Sequence, residues 1–242
     1  MCVSYNLRGL RLIVIGTVLM MIFSVIESAV SAVDEEASFF ILPLELAASV
    51  VTIVGIFKCS HINERFRQAK VYTLVTIGLC AAALAVCLIC VVNLLWDDES
   101  ESLDSAFFGG LIGLVAVILL LLAALVMSCI CIYELLYGCR DIALAEEDQE
   151  LARKCQSIWS MYIWSTVGSL LFFIIGVGTS QVSGIAGLVF LAIFGIGALM
   201  VLAAEIRSLL CFWRTWKTYD GKPVAGQRAS LPQEPTLEHK EP

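Results

Sequence analysis

The chain has 242 residues, of which 60% are hydrophobic and only 15% are charged, and its mean hydropathy is +0.90. A soluble domain of this length could not hide so much apolar area in one core, so the composition excludes a water-soluble globular protein and indicates a membrane protein. The formal net charge of -7 says little about partners, because the two sides of a membrane protein are charged differently.

Six apolar runs organise the chain. The longest uncharged run lies between Asp104 and Glu134, is apolar on every side, and exceeds the roughly 20 residues that cross about 30 Å of hydrocarbon. The first run also resembles a signal peptide, but Glu27 interrupts the approach to the small residues at 28–32, so a span is the favoured interpretation. The predicted spans are residues 12–33, 39–57, 71–96, 107–133, 158–178 and 184–204. The sequence therefore predicts an all-α integral membrane bundle of six transmembrane helices.

The connections between the spans alternate in charge. All 15 Lys and Arg residues lie in the N-terminus, in the 58–70 and 138–156 connections, or in the C-terminal part, whereas the connections after spans one and three are acidic. The positive-inside rule then predicts that both termini are cytoplasmic. Residues 1–11 form the predicted cytoplasmic N-terminus. Residues 213–242 form a predicted cytoplasmic interfacial segment and disordered tail.

The 138–156 connection has helical periodicity. Glu150 and Lys154 are spaced i,i+4, and Leu144, Leu151 and Ile158 fall on one seam. This pattern predicts a short amphipathic surface helix that leads into span five.

Two carboxylates lie inside the predicted spans. Glu45 is expected about 10 Å below the outer end of span two, and Glu27 lies on span one somewhat nearer the outside. An ionised carboxylate at depth costs roughly 2.5–3.5 kcal/mol, and no span contains a Lys or Arg to pair with either residue. A shared proton or bound cation would offset that cost, which makes Glu27 and Glu45 a candidate ion or proton site. Alternatively, each carboxyl is protonated or reaches the outer headgroups, helped by a bend at Pro43.

Two further acidic residues lie at the inner boundaries of the spans. Glu134 and Glu205 are near Arg140 and Arg207 in the sequence, so structural charges at the interface explain them best. The chain has no zinc-type ligand spacing and only two histidines, both in polar segments. We therefore expect no metal site, no cofactor and no catalytic centre.

The ten cysteines avoid the three outer connections. Oxidising conditions would form disulfides there, so structural disulfides are not expected. Five cysteines lie near inner boundaries, where S-acylation is chemically accessible. These candidate acylation sites are Cys2, Cys59, Cys139, Cys155 and Cys211. The alternative is that they are small buried thiols.

Small residues recur in spans five and six, which predicts close helix packing. Packing within the chain is favoured over a dimer face. Besides the lipid bilayer, the candidate partners are other membrane proteins or a second copy of the chain. No nucleic-acid partner is expected. A shift of 74 positions pairs span four with span six and superimposes Arg140 on Arg214. A duplicated two-span hairpin is therefore a further hypothesis.

A family resemblance covers the first four spans. It is carried by Cys2, by Leu7-Arg8-Gly9 at the start of span one, and by the basic and acidic connections after spans two and three. With these features the chain resembles the lysosomal-associated transmembrane (LAPTM-like) family and related arthropod tetraspan families. The resemblance implies trafficking or membrane organisation in the plasma membrane or an endosomal or lysosomal membrane. The chain departs from that pattern in its two extra spans and in a tail without a Pro-Tyr motif.

These observations favour a non-enzymatic multi-pass protein that organises a membrane or acts in trafficking. The alternative is a small transporter or channel that uses Glu27 and Glu45. The two hypotheses differ in whether those carboxylates face a hydrated cavity or only lipid and neighbouring side chains.

Overall fold

The computed structural model describes residues 4–31, 40–96, 103–180 and 184–224. These residues form six α-helices. Their bounds are α1 Arg8–Ser31, α2 Leu42–Cys59, α3 Glu64–Trp96, α4 Leu103–Ala145, α5 Gln149–Ser180 and α6 Gly184–Tyr219. All six are long and apolar enough to cross a membrane, which confirms the predicted fold class. Cys2, most of the acidic connections and residues 225–242 of the predicted tail lie outside the described ranges.

Consecutive helices pack as three pairs, α1 with α2, α3 with α4 and α5 with α6. The pairs are antiparallel, since the start of each odd-numbered helix lies beside the end of its partner. Both ends of the described chain meet at one end of the bundle, where Tyr5 N–H donates to the Lys222 carbonyl at 2.9 Å. We call this the basic end, because the described Lys and Arg residues lie in the parts of the helices nearest to it. The opposite end is called the far end.

All six helices continue beyond the predicted spans at the basic end, and the last four do so by seven residues or more. Spans four and six were predicted to end at residues 133 and 204, but α4 continues to Ala145 and α6 to Tyr219. At 1.5 Å per residue these helices are about 65 and 55 Å long, roughly twice the hydrocarbon thickness. Hydropathy detects only the part in contact with lipid, so it could not reveal these extensions.

The prediction of a separate surface helix in the 138–156 connection is wrong. Residues 146–148 form a tight turn between α4 and α5, and the remainder belongs to those two long helices. The Glu150–Lys154 ion pair is present, and Leu151 and Ile158 are buried. Leu144 is half exposed, so only part of the predicted seam faces the core.

The core lies at the basic end. Leu7, Phe66 and Leu136 are fully buried there, and Leu151 is 1% exposed. Towards the far end large aliphatic side chains face outward, as Ile112 does with 68% of its surface exposed. An apolar surface of this kind is stable in hydrocarbon but not in water. The bundle therefore joins a lipid-facing half to a protein-like packed half.

Glycine permits backbone-to-backbone contact between α1 and α2. A Cβ on Gly9 would lie 2.5 Å from the Gly55 carbonyl oxygen, and one on Gly16 would lie 2.7 Å from the Thr52 backbone nitrogen. Close packing was predicted only for the glycines of spans five and six, so the contact at Gly9 and Gly16 was not predicted. Gly9 and Gly16 are seven positions apart, a spacing that returns to the same helix face and was a detectable signal.

Candidate functional site

Glu27 and Glu45 face each other across the α1–α2 pair. Their carboxyl groups lie within hydrogen-bonding reach of each other. Both residues are half-buried. Two carboxyl groups can share a hydrogen bond only when one carries a proton, because an ionised carboxylate has no donor. The structure therefore brings together the two residues of the candidate ion or proton site.

Glu45 lies nearer the far end than the sequence predicted. Helix α2 begins at Leu42, and Pro43 occupies its first turn. A proline at this position costs no helical hydrogen bond, so Pro43 starts the helix and does not bend it, contrary to expectation. Three residues separate Leu42 from Glu45, which gives a depth of about 5 Å instead of 10 Å. The carboxyl also lies near the positive end of the helix dipole.

A cavity of about 460 Å³ opens between the helices towards the basic end. All six helices contribute to its walls. The walls are mainly aliphatic, but eight hydroxyl groups of Ser, Thr and Tyr side chains also line them. Ser49 lines this cavity and lies one helical turn from Glu45, so the carboxyl pair is placed between the cavity and the far end.

Several cavity hydroxyls have their protons directed into the helix backbone. Each donates to the carbonyl four residues earlier, which is the usual partner for Ser and Thr inside a helix. These bonds are Thr52 to Ala48 at 3.2 Å, Thr73 to Ala69 at 2.8 Å, Thr76 to Tyr72 at 2.9 Å and Ser208 to Ala204 at 2.9 Å. The lone pairs of the Thr52, Thr76 and Ser208 hydroxyls are left as acceptors, whereas the Thr73 oxygen lies 3.3 Å from Cys131 Sγ. The cavity therefore offers more acceptors than donors.

Among the described residues Glu205 supplies the one carboxyl group on the cavity wall. Within the described ranges it has no salt bridge, because Arg207, its expected neighbour, instead directs Nη1 to the Met161 sulfur at 3.4 Å. Tyr162 lines the same cavity. Glu205 was predicted to be a structural charge at the inner boundary, and its position on the cavity wall was not predicted.

Glu134 is a structural charge, although its partner is not the expected Arg140. Its Oε2 atom lies 3.2 Å from Arg65 Nη1, and Arg65 Nε lies 3.6 Å from Asp141. The side chain of Glu134 is 7% exposed. This ion pair joins the start of α3 to the end of α4. Removing either partner would leave a buried charge uncompensated.

Four of the five candidate acylation sites are buried in the core. Cys59, Cys139, Cys155 and Cys211 are at most 4% exposed, and the last two place their sulfur atoms 2.9 Å apart as free thiols. An acyltransferase cannot reach a buried thiol in the folded protein. The structure therefore favours the alternative of small buried thiols at these four positions, and Cys2 lies outside the described residues.

Among the described residues no group of three His, Cys, Asp or Glu side chains has a geometry that could hold a metal ion. No protein-family model, curated protein or solved structure matches the chain.

Proposed function

We propose that this multi-pass membrane protein is a small transporter or channel and has no enzymatic activity. The observation that carries the proposal is the cavity of about 460 Å³, to which all six helices contribute. Its volume falls within the roughly 300–1,000 Å³ typical of small-molecule sites. A solute enclosed by every helix of a bundle can be exposed to either side by small movements of the helix pairs against one another.

The Glu27–Glu45 carboxyl pair is suited to couple binding of a proton or cation to movement of the helices. Glu27 and Glu45 lie towards the far end from the cavity, and their carboxyl groups are close enough that a shared proton would join them by a hydrogen bond. Loss of that proton, or its exchange for a cation, would place charge on the α1–α2 pair and favour a different packing of these helices. In this proposal the pair acts as the proton or cation site.

The test is flux into proteoliposomes that contain the purified protein. Proton, Na⁺ and K⁺ movements are measured under imposed gradients for the wild type, Glu27→Gln and Glu45→Gln. The control is Glu64→Gln, which changes an exposed carboxylate paired with Arg67 at the basic end. We expect wild-type flux that depends on pH, its loss in both pair variants, and no change in the control. Absence of wild-type flux under every gradient would refute transport.

The second candidate is a membrane-organising or trafficking component in the plasma membrane or an endosomal or lysosomal membrane. It is favoured by Gly168 and Gly195, where a Cβ would meet no atom within 4 Å. Small residues beside open space allow the helix of another membrane protein to approach closely. Wild-type vesicles without flux, together with cross-linked oligomers that are lost in Gly168→Leu and Gly195→Leu, would support this candidate over transport.

A further inference from the structure

We infer that the central cavity binds a protonated organic amine with an apolar body, and that Glu205 provides its counter-charge. This inference deepens the proposed function by naming the class of solute. The claim that the amine is transported rests on the proposed function, whereas the claim that the amine binds does not.

The charge of the cavity lining is the first observation that supports a cationic ligand. Among the described residues that line the cavity, Glu205 is the single Asp or Glu, and there is no Lys or Arg. Among the described residues Glu205 has no ion-pair partner. A carboxylate held in a mainly apolar membrane protein is costly unless a cation compensates it. A cationic ligand would supply that compensation.

The hydroxyl groups of the cavity support a cationic ligand independently of its charge. Thr52, Thr76 and Ser208 donate their protons to backbone carbonyls and leave lone pairs to accept from a ligand. An ammonium group carries several N–H donors and no acceptor. The cavity and an ammonium ion are therefore complementary in hydrogen bonding as well as in charge.

The remaining walls favour an organic cation over a metal ion. Ca²⁺ requires six to eight oxygen ligands and Mg²⁺ requires an octahedral set, whereas this cavity offers one carboxyl group. Ile13, Ile53 and Ile77 give apolar surface that suits a hydrocarbon body. Tyr162 and Phe212 add aromatic rings, whose faces attract cations.

Equilibrium binding to the purified protein in detergent tests the inference with three probes of matched shape. The probes are adamantylamine, which is cationic at neutral pH, neutral adamantanol and anionic adamantane carboxylate. We expect the amine to bind at least about tenfold more tightly than the alcohol, as one charge-assisted hydrogen bond would give. We expect no binding of the carboxylate. Equal binding of amine and alcohol would overturn the inference.

Two variants and a control complete the design. Glu205→Gln should weaken amine binding about 10- to 100-fold and remove the preference over the alcohol, while Glu64→Gln should change neither. Ser128→Phe fills the cavity and should abolish binding of both probes. Amine binding that survives Ser128→Phe would mean partition into detergent and would refute the site, as would undiminished binding by Glu205→Gln.

The outcomes separate this inference from the proposed function. Amine binding without movement of the amine, protons, Na⁺ or K⁺ into vesicles would leave the cavity assignment standing and refute transport. Flux in vesicles without any preference for the amine would leave transport standing and refute the assignment of the solute.

Discussion

The backbone N–H of Leu7 donates a hydrogen bond to Asp220 Oδ1 at 2.8 Å, although 213 positions separate these residues in the chain. Gly221 and Tyr5 continue the contact, since the Gly221 N–H donates to the Tyr5 carbonyl at 2.8 Å. Gly221 has a φ of +79°, a conformation that glycine adopts without strain. The end of the sixth helix thus closes the bundle onto the start of the first.

Equivalent side-chain contacts precede the other two odd-numbered helices. Asn63 Oδ1 accepts from the Phe66 N–H at 3.0 Å, and Asp148 Oδ1 accepts from the Leu151 N–H at 2.9 Å. Each satisfies a backbone donor that the first turn of a helix cannot satisfy internally. Asp220 comes from the other end of the chain and accepts from the N–H of Leu7, the residue just before the first helix. All three antiparallel pairs therefore begin with a side-chain hydrogen bond to the backbone at the basic end.

Asp220→Ala should lower the stability of the bundle. It removes the acceptor for the Leu7 N–H, and loss of a cap costs about 0.5–2 kcal/mol. Asp220→Asn keeps an oxygen acceptor and should cost less. Thermal unfolding in detergent, followed by circular dichroism, would compare the two variants. If Asn and Ala lower the midpoint equally, the hydrogen bond is not the source of the stabilisation.

Asp148 should give the bundle a dependence on acidic pH. The Leu151 N–H holds the pKa of Asp148 below its usual value, assisted by the Tyr219 hydroxyl and Arg214. Because the pKa is lower in the folded state, the ionised carboxylate stabilises the fold above about pH 4, the usual range for Asp. That contribution is lost as the pH falls towards the folded-state pKa. The stability difference between wild type and Asp148→Asn should therefore shrink below about pH 4.

A neutral cap provides the control for this titration. Asn63 caps α3 with an amide that has no titratable proton in this range. The stability cost of Asn63→Ala should stay constant between about pH 6 and pH 3, where the Asp148→Asn difference changes. A pH-independent Asp148→Asn difference would show that the carboxylate charge does not contribute.

The sequence predicted the membrane-spanning segments but not the residues that form the packed core. Hydropathy located all six spans, because apolar runs must match the hydrocarbon thickness. It could not locate the core, since Phe66, Leu136 and Leu151 lie in segments that contain many polar residues. The position of Glu205 on the cavity wall was missed for the same reason. Its neighbour in sequence is Arg207, but its surroundings are set by the cavity between the other helices.

Labelling of introduced cysteines should establish which side the basic end faces. The positive-inside rule predicts that it faces the cytoplasm. A membrane-impermeant maleimide applied to intact cells should label Ser38→Cys in the first acidic connection. It should label His61→Cys, which replaces an exposed residue at the basic end, only after permeabilisation. The wild type gives the background, which should be low because no outer connection contains a cysteine. The reverse pattern would invert the topology.

Substitution of two glycines should separate close packing from intrinsic helix preference. At Gly16 a Cβ would lie 2.7 Å from the Thr52 backbone nitrogen and 2.8 Å from the Ala48 carbonyl oxygen, and neither backbone atom can move without shifting α2. Gly16→Ala should therefore destabilise the protein by about 1–3 kcal/mol, the usual cost of overpacking. At Gly195 a Cβ would meet no atom within 4 Å. Gly195→Ala should be neutral or gain up to about 1 kcal/mol, because alanine is the better helix former.

The same measurement serves both variants, namely the midpoint of thermal unfolding in detergent at one protein concentration. Gly16→Ala should lower the midpoint, and Gly195→Ala should leave it unchanged or raise it. Both substitutions add one methyl group within a long helix, so helix preference alone would move the two midpoints in the same direction. Opposite directions can arise only from the surroundings of each glycine. Equal shifts in both variants would show that α1 and α2 do not approach as closely as Gly16 permits.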